Sequence, residues 1–450
     1  MAATDSAPAP HSPTNRAPVA IVGAGLAGLT CARRLHAAGV DARIFEAGDA
    51  VGGRVRTDEV DGHRIDRGFQ VLLTAYPEAK AQLDYGKLDL RAFEPGALVH
   101  RGERTHRIAD PIRRPGSLWA TMRAPIASLA DKLRIGRLRL SLGRADLDEL
   151  LRRPAQSTRA RLAKLGLSDG FVDAFFRPFY GGVLLDRELA TSSRMFDYTF
   201  ACFTRGDAVV PAGGMQKIPE QLAAGLPDDA VQLGCPVAHA DRDHIVLSSG
   251  ERVAASAVVI ATDGTDAAGL LGDAGPGDMP SWKATTLMVY SLPRGALRLP
   301  KGRPTSIVLN GDADGPIDHY CVPSAIADGY APTDRDVLYA TALDRPNAGG
   351  GAVETSDREQ LEQRALAQLE RWHGPGVREW RHLRTQRIER ALPDLAADDQ
   401  ADIERSVVRP DGRFVCGDHR DAPSIQGAMR SGRRAAEAVL AKQPTVTSAS

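Results

Sequence analysis

The sequence predicts an α/β fold: a parallel sheet with packed helices, interleaved with a second part of antiparallel sheet and helices. Three observations carry this. Val19-Ala20-Ile21-Val22 reads as a buried strand. Gly23-Ala24-Gly25-Leu26-Ala27-Gly28 follows it, and a helical pattern through Leu29, Ala32, Leu35 and Ala38 stops at Gly39. Ala257-Val258-Val259-Ile260-Ala261-Thr262 is a second apolar run ending in a small polar residue, as central parallel strands do. Between Thr286 and Ala342, by contrast, short runs such as Thr286–Tyr290, Ile307–Leu309, His319–Val322 and Val337–Ala340 alternate with Asn310-Gly311, Asp314-Gly315 and Asp328-Gly329. That spacing is the mark of an antiparallel sheet with tight turns.

The glycines of the first unit fall as G-x-G-x-x-G between strand and helix, which makes the parallel part Rossmann-like. Gly23 permits the tight turn, Gly25 lets a pyrophosphate approach the backbone, and Gly28 lets helix and strand pack closely. The start of the helix then presents free N–H groups to a phosphate. Asp41–Phe45 is a second strand, and Glu46 at its end is placed to accept hydrogen bonds from an adenosine ribose. Glu46→Ala is therefore expected to weaken nucleotide retention. Ligands gather beyond the carboxyl ends of parallel strands, so Thr262 and Asp263 are cofactor neighbours or strand-end caps.

A chain of 450 residues exceeds one core, so two intertwined domains are expected. Lys+Arg and Asp+Glu both number 57, so no global charge points to nucleic acid. Cys31, Cys202, Cys235, Cys321 and Cys416 are scattered and never in C-x-x-C spacing, which argues against a disulfide framework or a metal site and for a reducing, cytoplasmic setting. No apolar run reaches the roughly 20 residues of a membrane span. The Ala/Pro/Ser/Thr-rich start, 1–17, lacks the apolar core of a signal peptide and reads as a disordered tail, as does 442–450.

Val51-Gly52-Gly53-Arg54-Val55-Arg56-Thr57 suits a loop on a phosphate, with backbone amides close and a guanidinium as a forked donor, or an ordinary glycine turn. Asp61-Gly62 reads as a hairpin turn. The 101–164 region holds 16 Lys+Arg against 6 Asp+Glu. In it Met122, Ile126, Leu129, Leu133 and Leu140 keep helical spacing, with Arg134, Arg137 and Arg139 largely off that stripe. Two readings are open. The region touches an anionic membrane peripherally, at the inner face, or it is a helical layer whose apolar stripe packs inward; the second is the simpler expectation. Phe171, Phe175 and Phe179 repeat at i, i+4, i+8 within a stretch of nine aromatics ending at Phe203, which serve the core or a substrate pocket. Val231-Gln232-Leu233 and Pro236-Val237-Ala238 look like a strand and its continuation. Ser356-Asp357-Arg358-Glu359 is a capping box for a helix carrying Leu361, Ala365, Leu369 and Trp372 on one face.

Gly23–Leu29, Glu46 and Gly52–Thr57 together resemble the N-terminal signature of the FAD-dependent amine oxidase, phytoene desaturase and protoporphyrinogen oxidase superfamily. Pro211–Pro219 and Phe414–His419, running into Ser424–Gly432, extend the resemblance to nearly the whole chain, from about Val19 to Leu440, and within the superfamily it is most similar to bacterial phytoene-desaturase-like proteins. The resemblance implies FAD as cofactor. It assigns Gly23, Gly25, Leu26, Ala27 and Gly28 to the pyrophosphate turn, Glu46 and Ala47 to the ribose, and Gly53 and Arg54 to the phosphates. It places Gly68 and Phe69 near the flavin ring, the Val237 backbone at the adenine, Thr262 beside the cofactor, and Gly417-Asp418 at the ribityl–pyrophosphate part. The helix after Pro423, with Ser424, Ile425, Gln426 and Ala428, would aim its positive end at the flavin pyrimidine. It divides the chain into an FAD-binding domain (18–75, 205–275 and 385–441) and a substrate domain (76–204 and 276–384).

No second strand–G-x-G-x-x-G–helix unit, redox C-x-x-C, nucleophile elbow or metal-ligand cluster is present, so the cofactor carries the hard step. The expected reaction is hydride removal from a small, apolar organic substrate, of desaturase or dehydrogenase type, with flavin reoxidised by oxygen or a quinone. Amine oxidases of the superfamily place a lysine near the flavin on the segment resembling Thr285–Tyr290; here Leu287 or Met288 stands there, with Lys283 nearest. That speaks against an amine oxidase. A flavoprotein amine oxidase, a non-redox flavin isomerase or mutase, and a non-enzymatic binding protein of the same fold remain alternatives. His319, Tyr320, Arg177 and Tyr180 are candidates by environment, and no catalytic acid or base is named.

Overall fold

The computed structural model describes residues 17–109, 125–272, 280–297, 299, 304–344, 358–395 and 402–442. Residues 1–16 and 443–450 of the two tails, Met122 and the Ser356-Asp357 half of the capping box lie outside them, while Lys442, expected in the second tail, ends the last helix.

Val19–Val22 is the middle strand of a five-stranded, wholly parallel sheet. Across it lie Val231–Gln232, Ala42–Phe45, Val19–Val22, Ala257–Ile260 and Phe414–Val415 in that order. Every Val19–Val22 residue is buried, as a strand covered on both faces requires. From this strand the chain builds one side of the sheet with Ala42–Phe45 and Val231–Gln232, then returns to the other side with Ala257–Ile260 and Phe414–Val415. A crevice therefore opens at its carboxyl end, where Gly23 turns with φ +104°.

The helix Leu26–Ala37 packs on this sheet and against the C-terminal helix Ile425–Lys442. Two glycines set the distances. A Cβ at Gly28 would lie 2.0 Å from the Gly23 carbonyl oxygen, and one at Gly432 would lie 2.1 Å from that of Ala27. No real Cβ fits so close, so strand, first helix and last helix touch backbone to backbone.

Val237–Ala240 does not continue Val231–Gln232. It belongs to a separate antiparallel sheet with His244–Leu247 and Arg252–Ala254. Gly234 at φ +66° and Pro236 break the path between the two strands.

The second part is a seven-stranded sheet in the order Arg381–Pro393, Trp282–Pro293, Arg335–Leu343, His319–Cys321, Ile307–Asn310, Gly96–Arg101 and Arg104–Ala109. All neighbours are antiparallel except Ile307–Asn310 with Gly96–Arg101. Arg381–Pro393 runs to Pro393 paired with Trp282, so the expected boundary at 385 falls inside a substrate-sheet strand. The Asp61-Gly62 turn, with φ +49° and +76°, closes the hairpin Thr57–Val60 and His63–Asp66 as read.

The helix Leu129–Leu142 departs from the simpler expectation. Ser128 and Asp131 form a capping box at its start, and Leu138 and Leu142 are buried. Leu129, Leu133 and Leu140 instead face outward. Periodicity found the stripe but not its direction: the inward face is taken by Leu138 and Leu142, offset from that stripe around the helix. The helix Arg358–His373 buries Ala365 and Leu369, as expected of its apolar face.

Candidate functional site

One cavity of about 1160 Å³ runs from the parallel sheet's crevice to the seven-stranded sheet. Its first wall is the opening turn, with Gly23, Gly25, Leu26 and Ala27 on the surface. The helix that begins there has neither a side-chain cap nor an acidic residue in its first turn. Its leading N–H groups and positive end are thus left for an anion, which fits a pyrophosphate. Gly28 is turned away from the cavity and works in packing.

Glu46 and Ala47 line the same wall. The Glu46 carboxylate accepts the Ala24 N–H at 2.7 Å and the Gly48 N–H at 2.8 Å. Two backbone donors fix its orientation and leave its remaining lone pairs for a ribose. Val237 and Thr262 also reach the cavity. Asp263 does too, while capping the helix Gly264–Leu271 through the Thr265 and Asp266 N–H groups and pairing with Arg390 at 3.0 Å.

Gly53 and Arg54 enter from the glycine loop, tethered by the Gly52 N–H donating to the Ala24 carbonyl at 2.8 Å. Arg54 donates to Asp418 at 2.5 Å and to the Ala391 carbonyl at 3.1 Å, and lies 5.3 Å over the Trp282 ring. Burial pulls the Arg54 pKa down, but Asp418 and Asp263 outweigh it and the net shift is upward. Arg56 instead pairs with Asp49 at 2.8 Å.

From the far end of the chain come Gly417 and Asp418, then Ser424, Ile425 and Ala428. Ser424 caps the last helix by accepting the Gly427 N–H at 3.1 Å, and Pro423 stands just before that cap. Gln426 does not join them. Its side chain turns back to accept the Glu78 N–H at 2.8 Å and is buried in protein. A three-residue period on a helix puts Ile425 and Ala428 on one face and Gln426 on another.

Gly68 and Phe69 line the middle of the cavity. Asp66, just before them, is buried and ties three segments together. It accepts from the Thr57 hydroxyl at 2.5 Å, the Tyr330 hydroxyl at 2.8 Å and the Met215 N–H at 3.0 Å. Burial raises its pKa from 3.8 to about 6, against those three bonds. A raised folded-state value contributes stability that is full below the unfolded value, near pH 4, and is lost as pH rises through 6. Two units correspond to about 3 kcal/mol. Thermal melts from pH 4 to 7 are expected to show this loss, and Asp66→Asn to flatten it. An unchanged pH slope in that variant contradicts the assignment.

Beyond Phe69 the walls become aromatic. Phe171, Phe175, Phe176, Phe179 and Tyr180 line the cavity, and the Phe171–Phe175 and Phe175–Phe179 rings stack at 5.6 Å. Val172–Phe176 is a π-helical turn, a distortion that re-aims side chains. Two polar groups interrupt this wall. His319 and Thr341 face each other across paired strands, and neither His319 Nδ1 nor Thr341 Oγ1 has a hydrogen-bond partner among the described residues. Burial lowers the His319 pKa to about 4, so the ring is neutral at ordinary pH. Sequence alternation along Arg335–Leu343 was the available signal for Thr341; nothing local marked its polarity as unusual.

The other candidates lie elsewhere. The Tyr320 hydroxyl meets His373 Nε2 at 3.0 Å, and Arg177 pairs with Asp173 at 3.1 Å. Leu287 and Met288 are buried off the cavity, and Thr285 is the residue of that strand that reaches it. Lys283 lies between Asp186 and Asp394, 3.2 Å from each.

The family model for flavin containing amine oxidoreductases matches residues 26–440. The chain belongs to that family. It is an FAD-dependent oxidoreductase of the amine oxidase fold. Over 239 residues it is 28% identical to the putrescine oxidase of Kocuria rosea, covering 49% of this chain and 48% of that protein. Over 164 residues it is 27% identical to protoporphyrinogen oxidase 2 of Arabidopsis thaliana, covering 36% and 32%. The matches thus span about half or less of these relatives' lengths. A crystal structure of an oxidoreductase from Methanosarcina mazei superposes with a TM-score of 0.70 at 17% identity, over 94% of this chain and 100% of that one, a likeness of fold. In this oxidoreductase the residues that fit FAD are contributed by both ends of the chain. Among the described residues no helix is long and apolar enough to cross a membrane.

Proposed function

We propose that the enzyme removes hydride from an uncharged, largely apolar organic molecule, in a desaturase or dehydrogenase reaction. FAD, when bound, supplies the two-electron acceptor, and oxygen or a quinone takes the electrons onward. The observation that carries this is the state of the acids on the cavity wall. Among the described residues each already has a partner: Glu46 on backbone N–H groups, Glu94 on Arg107 and Thr305, Asp263 and Asp266 on Arg390, Asp418 on Arg54. No carboxylate is spare to neutralise a substrate ammonium, and an unpaired buried charge is costly. The aromatic wall supports an apolar body, held by rings that exclude water. Neutral His319 and Thr341 offer hydrogen bonds to an uncharged oxygen. Putrescine oxidase among the relatives supports a second reading, an amine oxidase, which the paired carboxylates oppose.

The test is anaerobic mixing with matched molecules of one carbon skeleton, neutral or aminated. Flavin bleaching by the neutral members supports the proposal, and bleaching by amines alone overturns it. In the same apparatus, Thr341→Val removes one hydroxyl at nearly constant volume. It is expected to weaken 1-decanol binding roughly 3- to 10-fold while leaving decane unaffected. Equal losses for both probes contradict a hydrogen-bonding role.

A further inference from the structure

We propose that the outward face of the helix Leu129–Leu142 docks on an anionic lipid surface beside the cavity. Four large apolar side chains stand strongly exposed among the described residues, and three are on this helix: Leu129 and Leu133 at 61% and Leu140 at 59%. They lie within about 40° of one another around the axis, forming a single ridge. Such clustering marks a contact surface, whereas single exposed leucines do not.

The charge beside the ridge chooses the partner. Arg137 is exposed beside the ridge, and Lys132, Arg134 and Arg139 are half-buried on the same helix, whose acid, Asp131, is buried in its capping box, bonded to Ser168 and 3.8 Å from Arg134. Apolar residues flanked by cations suit the boundary of an anionic bilayer, where leucines enter the acyl layer and arginines meet phosphates. A second copy of the chain would set like charges together. Three leucines also fall well short of the roughly 800 Å² per partner of a stable dimer.

The ridge is also continuous with the site. Ile135 and Gly136 line the cavity, and Gly136 is itself exposed, so the cavity wall and the ridge share one turn of helix. A lipid-dissolved molecule would then pass from the bilayer to the aromatic wall without crossing water.

The experiment uses the full chain with its flavin, sedimented with phosphatidylcholine vesicles with or without about 30 mol% phosphatidylglycerol. It needs no substrate, so its outcome is independent of the proposed reaction. Binding to the anionic vesicles at low salt, release by high salt, and weak binding to pure phosphatidylcholine are expected. Leu129→Ser/Leu133→Ser/Leu140→Ser should lower partitioning roughly ten-fold or more, and Arg137→Gln about five-fold. Retained flavin shows that each variant is folded. Wild-type protein left in the supernatant, or a triple variant that partitions undiminished, overturns the proposal. A wild-type dimer that the triple variant converts to monomer, with no vesicle binding, assigns the face to a second copy and also overturns it.

Discussion

Gly28→Ala is expected to abolish FAD binding and to destabilise the fold by about 3 kcal/mol or more, the upper end for overpacking. The new methyl would sit 2.0 Å from the Gly23 carbonyl oxygen, a backbone atom fixed by the parallel sheet, with the Ala261 side chain at 3.3 Å behind it. Relief requires moving the helix Leu26–Ala37 off its strand, which also displaces the N–H groups of Leu26 and Ala27. Denaturant melts and flavin content after desalting measure the two effects. A variant of wild-type stability that keeps its flavin contradicts the packing derived for the first turn.

Arg54→Ala is the second large effect. Asp418 is buried, and its carboxylate would lose its ion pair. Breaking a fully buried pair costs about 3–5 kcal/mol. The Arg54 side chain is 35% exposed, so solvent screening reduces this to about 1–3 kcal/mol. Flavin retention should fall further than stability, because Arg54 also lines the cavity beside the glycine loop and would supply a forked donor to a phosphate there. Arg54→Lys keeps the charge but not the fork, and should restore stability better than flavin affinity. Equal recovery of both would mean that charge alone matters there.

Much of this was legible because it is local. The run from Val19 to Gly39 specifies strand, turn and helix from adjacent residues, and Glu46 closes the same unit. The antiparallel half was legible from turn-formers between short apolar runs. What escaped depends on distant partners. Nothing near Gly432 announces that its neighbour is Ala27, about 400 residues away in sequence. Leu129, Leu133 and Leu140 show a stripe, but only tertiary packing decides that Leu138 and Leu142 take the inside. Gln426 sat in a motif whose neighbours reach the cavity, and the helical period turned it toward Glu78. The boundary expected at 385 falls inside the strand Arg381–Pro393, whose pairing with Trp282–Ser291 joins segments about 100 residues apart. His319 and Thr341 became a pair only when their strands aligned.

Crystals of the flavin-loaded protein test most directly whether one cavity holds both the dinucleotide and an uncharged substrate. Density is expected to run from the Glu46 carboxylate, past Leu26, Ala27 and Arg54, to the start of the helix Ile425–Lys442. The flavin ring should lie beside Gly68, with the aromatic wall and His319 left open beyond it. FAD lying along Phe171, Phe175 and Phe179 instead, with Glu46 bonded only to the Ala24 and Gly48 N–H groups, would contradict it.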